Sequence, residues 1–292
     1  MIRHTTDETT ARRIEQSLVA VKGAGDLATG VIHRLHRAGF PVAATELPEP
    51  TVVRRTVSFA EAVLLGEMTV EGVTAQRVTS LEEITGQLAN GRVPVIVDPE
   101  GHVLRQLRPP VLVEATLSKR NTGITIDDAP IVIALGPGYE AGRDAHAVVE
   151  TNRGHNLGRV YYEGSAEPNT GVPGAIAGYT IERLLKAPAA GKIYGVRQIG
   201  DMVQADEVVA QIHEVDCPGE PCSCQSVPVI AAIPGILRGL LRDSLTVSKG
   251  MKVGDIDPRA AREHCFTISD KSRAIGGGVL EAILHLMQQL PQ

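Results

Sequence analysis

Leu18-Val-Ala-Val-Lys-Gly-Ala-Gly-Asp-Leu-Ala28 decides how the front of this chain is read. Leu18 to Lys22 is a short apolar strand. Gly23-Ala-Gly25-Asp-Leu-Ala28 then fits the G-x-G-x-x-[GA] pattern that follows a strand and opens a helix. In that helix Leu27, Val31, Leu35 and Ala38 recur three or four residues apart as one buried stripe, and Gly39 is its stop. Val42 to Thr45 is the next strand, ending in Glu46, which follows Gly25 by 21 residues. Such a unit has the physics of an anion site. Glycines let the backbone approach a phosphate, the helix N-terminus offers N–H donors, and an acid after the second strand takes a ribose hydroxyl. Gly23, Gly25, Asp26, Ala28 and Glu46 are therefore candidate nucleotide- or phosphate-binding residues. Asp26 suits a bare pyrophosphate poorly unless its carboxylate caps the helix, turns away or holds a cation. The alternative reading of the same pattern is a tight turn with no ligand.

Working outward, the alternation of helix and strand continues. Thr51 to Leu65 reads as a helix carrying Arg54 and Arg55, either as phosphate contacts or as an exposed face. Ser80-Leu-Glu-Glu83 is a capping box for a helix ending at Asn90-Gly91. Val93–Val97, Val111–Thr116, Ile131–Leu135 and Ala147–Val149 read as strands. Each empties into a charged or glycine-containing loop, and open parallel sheets bind ligands outside the carboxyl ends of their strands. Lys119, Arg120, Gly136, Gly138 and Arg153 join the candidate cofactor-binding set on this ground. Asp127, Asp128, Glu150 and His155 are expected to converge on the same cleft. For each of them alone, a solvated loop charge is the competing reading.

The 292 residues allow two domains, and 43% apolar residues supply a sizeable core. With no Trp and only 3% aromatics, that core must be aliphatic, which suits buried parallel strands. A net charge of -5 argues against a nucleic-acid partner. No run approaches a membrane span. Residues 1–17 read as a flexible polar leader without a signal-peptide core, so a cytoplasmic location is expected.

The second half repeats itself at a period of 44 residues: Gly191 with Gly235, Ile193 with Leu237, Gly195 with Gly239, Val196 with Leu240, Val203 with Val247, Val209 with Val253, and Ile212 with Ile256. A helix from Ala175 to Leu185 is expected ahead of it. The segments 199–212 and 231–236 resemble the two halves of the lipoyl/biotinyl barrel-sandwich family. That family carries its prosthetic group on a lysine between the halves. The stretch from His213 to Ser226 has no lysine, so neither biotin nor lipoate is expected. It has instead Cys217, Cys222 and Cys224, a candidate metal or redox site whose alternative is a loop of reduced thiols. Gly276-Gly-Gly278 is read as opening a helix that runs to about Gln288. It is either a second anion site or a close-packing surface.

Taken together, Lys22 to Gly30, Thr45 to Pro48, Arg54-Arg55, Ser118 to Asn121, Ile126 to Pro130, Leu135 to Gly138, Val149 to His155, Glu163 to Gly171, Gly254 to Arg259 and Ser269 to Gly278 resemble the accessory-protein family of selenium-dependent molybdenum hydroxylases. This resemblance implies a maturation factor that binds a nucleotide or a molybdopterin-type cofactor and docks on a molybdenum hydroxylase client. An NAD(P)-dependent oxidoreductase and a non-catalytic scaffold are the alternatives, and whether any bond is made or broken stays open. The oligomeric state, with a homo-oligomer among the candidates, stays open. The expected fold is α/β. A Rossmann-like parallel-sheet domain over 18–166 precedes a β region over 167–292, whose small barrel-sandwich domain, about 187–258, is flanked by helices.

Overall fold

The computed structural model describes residues 16–213 and 226–290. Cys217, Cys222 and Cys224 and most of the expected leader lie outside the described residues. Contacts divide the chain into two units. The first comprises 1–50, 58–170 and 268–292; the second comprises 51–57 and 171–267.

The α/β unit is built from β1 (Val19–Lys22), α1 (Asp26–Arg37), β2 (Val42–Glu46), α2 (Ala62–Leu65), β3 (Glu67–Val70), β4 (Val73–Val78), α3 (Leu81–Ala89), β5 (Val93–Val97), α4 (His102–Leu107), β6 (Val111–Glu114), β7 (Ile131–Leu135), β8 (Glu140–Ala141), β9 (Ala147–Val149), β10 (Val160–Tyr161), β11 (Gly164–Ser165) and α5 (Asp270–Met287). Its sheet has the order β10-β9-β7-β6-β1-β2-β5-β4-β3. The strands from β9 to β4 all run parallel, and antiparallel β10 and β3 close the two edges. Val19, Ala20 and Val21 are fully buried in β1. That burial explains the continuous apolar runs, since a central parallel strand has no solvent face. The chain adds β2 on one side of β1 and later returns to the other side with β6, so the order reverses between β1 and β6.

Helix α1 ends as the glycine at its C-terminus dictates. Gly39 takes φ +94°, Phe40 N–H donates to Leu35 O at 3.1 Å, and Gly39 N–H donates to His36 O at 3.0 Å. The buried stripe is wider than its spacing predicts. Val31 and Leu35 are buried, and so are Ile32, Thr29 and Gly30, whereas Ala38 is exposed. The second buried face meets α5, where a side chain on Gly30 would stand 2.5 Å from Ser272 Cβ. Helix α5 begins earlier than the triple glycine suggests. Ser269 caps it by accepting from Ser272 N–H at 3.1 Å, which puts Gly276 to Gly278 in the helix interior. These glycines serve close packing, not a helix N-terminus. A Cβ on Gly276 would lie 2.9 Å from Gly30 O, and one on Gly278 would overlap Gly158 O.

The β unit contains β12 (Leu184–Lys186), β13 (Gly191–Gly195), β14 (Met202–Val203), β15 (Val208–His213), β16 (Val227–Ile230), β17 (Gly235–Leu240), β18 (Thr246–Val247) and β19 (Lys252–Asp257). They form two four-stranded sheets, β12-β19-β17-β14 and β16-β15-β13-β18. The 44-residue repeat is a repeat of pairing register. Ile193 opposes Ile212, and Leu237 opposes Ile256. Each half also lends a short strand to the other: β14 pairs with β17, and β18 pairs with β13. Gly191 and Gly235 hold the same backbone, at φ +154° and +156°, and a Cβ on either would overlap or crowd the carbonyl of the facing strand, His213 or Asp257. Ile193, Ile212, Leu237, Ile256, Val209 and Val253 meet in one aliphatic core.

Two expected helices are absent. Ala177 at φ +48° and Gly178 at φ +87° form a tight turn in which Ile176 and Tyr179 exchange backbone hydrogen bonds, so no helix spans Ala175 to Leu185. Leu185 is instead a buried residue of β12. Thr51 to Leu65 is likewise broken, because 51–57 belongs to the β unit while Phe59–Glu61 and α2 are short turns of helix in the α/β unit.

Candidate functional site

The carboxyl end of β1 sits where the strand order reverses, the position at which open α/β sheets leave a crevice. Gly23 takes φ +98°, and a Cβ there would press at 3.1 Å on the backbone of Ala115 and Thr116, just after β6. Only glycine lets the two strand ends approach so closely. Gly25 is the N-cap of α1 and has no side chain to cap it; Asp26 is the first helical residue and therefore not the cap. Ala28 is buried within the first turn. Glu46 reaches back to the loop. Its carboxylate accepts from Ala24 N–H at 2.9 Å and Leu47 N–H at 2.8 Å. Burial raises its pKa against the opposing pull of these two bonds. Each of its oxygens thus already holds a backbone donor, and its evident task here is to fix the loop.

The loop after β6 brings in residues that motif reasoning passed over. Lys22, at the end of β1, donates to Thr122 O at 3.2 Å and Thr122 Oγ1 at 3.1 Å, and it lies 3.6 Å from Glu114 Oε2. Glu114 also accepts from Thr122 Oγ1 at 2.7 Å and Thr116 N–H at 2.9 Å. The Glu114 side chain is 1% exposed and that of Lys22 12%, so the network is a buried, satisfied clasp joining two central strands to one loop. Tyr139 packs against the same clasp, and its burial first, then the Glu114 charge, raises its pKa. Within the loop, Leu117 at φ +56° and Lys119 at φ +63° are held left-handed. Gly138, at φ +104°, makes room for it: a Cβ there would stand 2.5 Å from Arg120 N. Gly136, at φ +76°, similarly leaves space for Thr151, whose hydroxyl a Cβ would overlap.

Lys119, Arg120 and Gly138 are thus brought onto one loop surface that begins against Gly23. The remaining expected residues are not. Arg153 is clamped by Asp270, at 2.6 and 2.9 Å. Glu150 is fully buried and accepts from the N–H groups of Thr151, Asn152 and Glu167 at 2.8, 2.6 and 2.7 Å. His155 is exposed. Asp127 and Asp128 precede β7 and so lie at the opposite end of the sheet. Arg54 and Arg55 belong to the β unit and bond backbone carbonyls there. Arg54 donates to His264 O and Thr267 O at 3.0 and 3.2 Å, and Arg55 donates to Leu240 O at 2.7 Å. Among the described residues, no cluster of three or more His, Cys, Asp or Glu side chains is placed to hold a metal.

The β unit has a buried charge cluster that sequence reasoning also missed. Asp257 is fully buried and bound by Arg259 at 2.6 and 2.9 Å, with Arg238 at 3.6 Å. Burial works against its ionisation, but the Arg259 bonds and the Arg238 charge outweigh it and lower its pKa. Burial, then repulsion from Arg54, lowers the pKa of Arg238. The strand alternation that buries Ile256 turns Asp255 and Asp257 to the other face, which is the signal that could have found them. Cys265 is buried beside this cluster, and burial raises its thiol pKa.

The class these features define is a mixed α/β protein with a largely parallel sheet and separate antiparallel sheets. No family model matches the chain. It is 50% identical over 274 residues to a protein of Escherichia coli K12 named "Uncharacterized protein YqeB". That match covers 93% of this chain and 48% of YqeB, so the chain spans about half the length of that relative. Solved structures with some likeness include an aspartoacylase family protein from Mesorhizobium loti, at 13% identity and TM-score 0.30, covering 82% of this chain and 84% of that one. A succinylglutamate desuccinylase/aspartoacylase from Rhodobacter sphaeroides gives 14% and 0.29, covering 82% and 84%. The ectoine utilization protein EutE (DoeB) from Ruegeria pomeroyi gives 10% and 0.26, covering 82% and 85%. Scores this low transfer neither fold nor chemistry. The comparisons do correct the resemblance drawn from sequence. Neither the family models nor the 50%-identical relative gives any sign of the molybdenum hydroxylase accessory family. The maturation role, its selenium and molybdenum associations and its client are withdrawn, and neither the oxidoreductase nor the scaffold alternative gains support.

Proposed function

We propose that the α/β unit binds a phosphorylated small molecule of nucleotide type in the crevice at the carboxyl ends of β1 and β6, in a Rossmann-like arrangement. The observation that carries this reading is the loop after β6. It holds two exposed cations, Lys119 and Arg120, whose side chains make no ion pair among the described residues. It does so with two non-glycine residues in the left-handed region, a conformation costing about 1–3 kcal/mol each and concentrated at ligand clamps. The loop starts against Gly23, one turn from the N-terminus of α1. Helix N-H groups and two cations together favour a phosphate over a neutral ligand. In the β unit, the two register-matched halves support a barrel-sandwich reading.

Calorimetric titration with ADP tests the binding. Saturable binding is expected, with about 2.7 kcal/mol of added stability at a ligand concentration 100 times Kd. Replacing both Lys119 and Arg120 by alanine should weaken it at least tenfold. Unchanged affinity in the double variant would remove the loop from the site.

A further inference from the structure

The opposite end of the same sheet carries a second set of groups. A cleft of about 660 Å³ opens at the amino ends of β6, β7 and β9, lined by Arg105, Arg108, Asp127, Asp128 and His146. Its charges are kept apart: among the described residues none of these arginines forms an ion pair with either aspartate. Arg105 uses one nitrogen on Glu100 O at 3.1 Å, and Asp128 uses one oxygen on Thr125 N–H at 2.7 Å. The side chains of Arg108 and Asp127 make no hydrogen bond or ion pair among the described residues. Arg108 is presented by a left-handed backbone at φ +45°, where α4 ends.

His146 supplies a donor of fixed sense. Its backbone N–H donates to Val132 O at 2.8 Å, and its Nδ1 accepts from Val132 N–H at 3.0 Å. A ring nitrogen that accepts cannot carry the proton, so the hydrogen of the neutral ring sits on Nε2. Burial lowers the ring's pKa, with the Asp127 charge opposing, which agrees with a neutral imidazole.

The geometry points to a binding site in this cleft for a small zwitterion of amino-acid type. Its carboxylate would be taken by Arg108 and Arg105 with the His146 Nε2–H, and its ammonium by Asp127. A ligand of single charge leaves one side of the cleft unmatched. Two unpaired charges of opposite sign in one cavity therefore select a ligand that carries both. This cleft lies at the amino ends of the strands and shares none of Lys119, Arg120 or Gly23 with the crevice at their carboxyl ends.

The test uses the full chain and a series of ω-amino acids of increasing length, with the matching fatty acids and alkylamines as single-charge counterparts. Binding is read from the His146 ring signals by nuclear magnetic resonance and from calorimetry. At least one ω-amino acid should shift the His146 signals saturably and bind at least tenfold more tightly than either counterpart. Arg108→Gln should weaken the zwitterion and the fatty acid but not the alkylamine, and Asp127→Asn should weaken the zwitterion and the alkylamine but not the fatty acid. Arg105→Gln replaces Arg108→Gln if the latter loses its native spectrum. No saturable shift across the series, or equal affinity in wild type and both variants, overturns the assignment.

Discussion

Three consecutive glycines, Gly276, Gly277 and Gly278, should answer alanine substitution with opposite signs. All three lie inside α5, where alanine is favoured over glycine by about 0.8–1 kcal/mol. Around Gly277 there is nothing within 4 Å of a Cβ, so Gly277→Ala should collect the whole propensity gain. Gly276→Ala meets Gly30 O at 2.9 Å and Arg34 Cβ at 3.1 Å. Overpacking of this kind costs about 1–3 kcal/mol, which cancels or exceeds the gain. Gly278→Ala drives its methyl into Gly158 O and to 2.9 Å from Val149 Cγ1. Gly158 is itself at φ +83° and has Ala274 O on its other flank, so it cannot retreat. The full penalty of about 3 kcal/mol or more is expected there. With about 2–4 °C per kcal/mol for a unit of this size, Gly277→Ala should raise the melting temperature by about 2–4 °C. Gly278→Ala should lower it by roughly 4 °C or more on the same scale. Thermal unfolding followed by circular dichroism reads both. Loss of stability in Gly277→Ala, or a gain in Gly278→Ala, would refute the packing of α5 on α1 and on the turn at Gly158.

Gly23→Ala should destabilise by about 2–4 kcal/mol, because a left-handed backbone and backbone contacts at 3.1 Å add together. Gly66→Ala, at φ +88° with open space around it, should cost only the backbone share, and urea unfolding measures the difference. Asp257 gives a pH signature. Its folded pKa lies below the ordinary 3.8, so its contribution is complete above that value and is lost as pH falls through the folded one. Asp257→Asn should therefore flatten the acid limb of the stability curve of the β unit, and acid titration of amide exchange in β17 and β19 checks it.

Local signals in the sequence were the reliable ones. The strand, glycine turn, helix and second strand from Val19 to Glu46 follow from residues within a few positions of one another. The register of the β unit was legible because the repeat fixes it twice, once at Ile193 and Ile212 and again at Leu237 and Ile256. Distant partners were not legible. Arg54 reads as a surface cation until His264, 210 positions later, captures it. Arg153 reads as a phosphate ligand until Asp270 does the same. Ser269 reads as part of a charged loop until its hydroxyl caps Ser272 N–H, so the sequence alone starts α5 too late and leaves its glycines open between a helix N-terminus and a packing surface. The clasp of Lys22, Glu114 and Thr122 has no spacing signature, since its members belong to β1, to the end of β6 and to the loop after it.

The most direct test of the proposed crevice compares pyrophosphate, ADP and adenosine by calorimetry at two salt concentrations. Binding of pyrophosphate and ADP that weakens with salt, is weaker or absent for adenosine, and falls at least tenfold in the Lys119→Ala, Arg120→Ala double variant is the predicted result. Adenosine binding as tightly as ADP, or no heat from either phosphate compound, would contradict it.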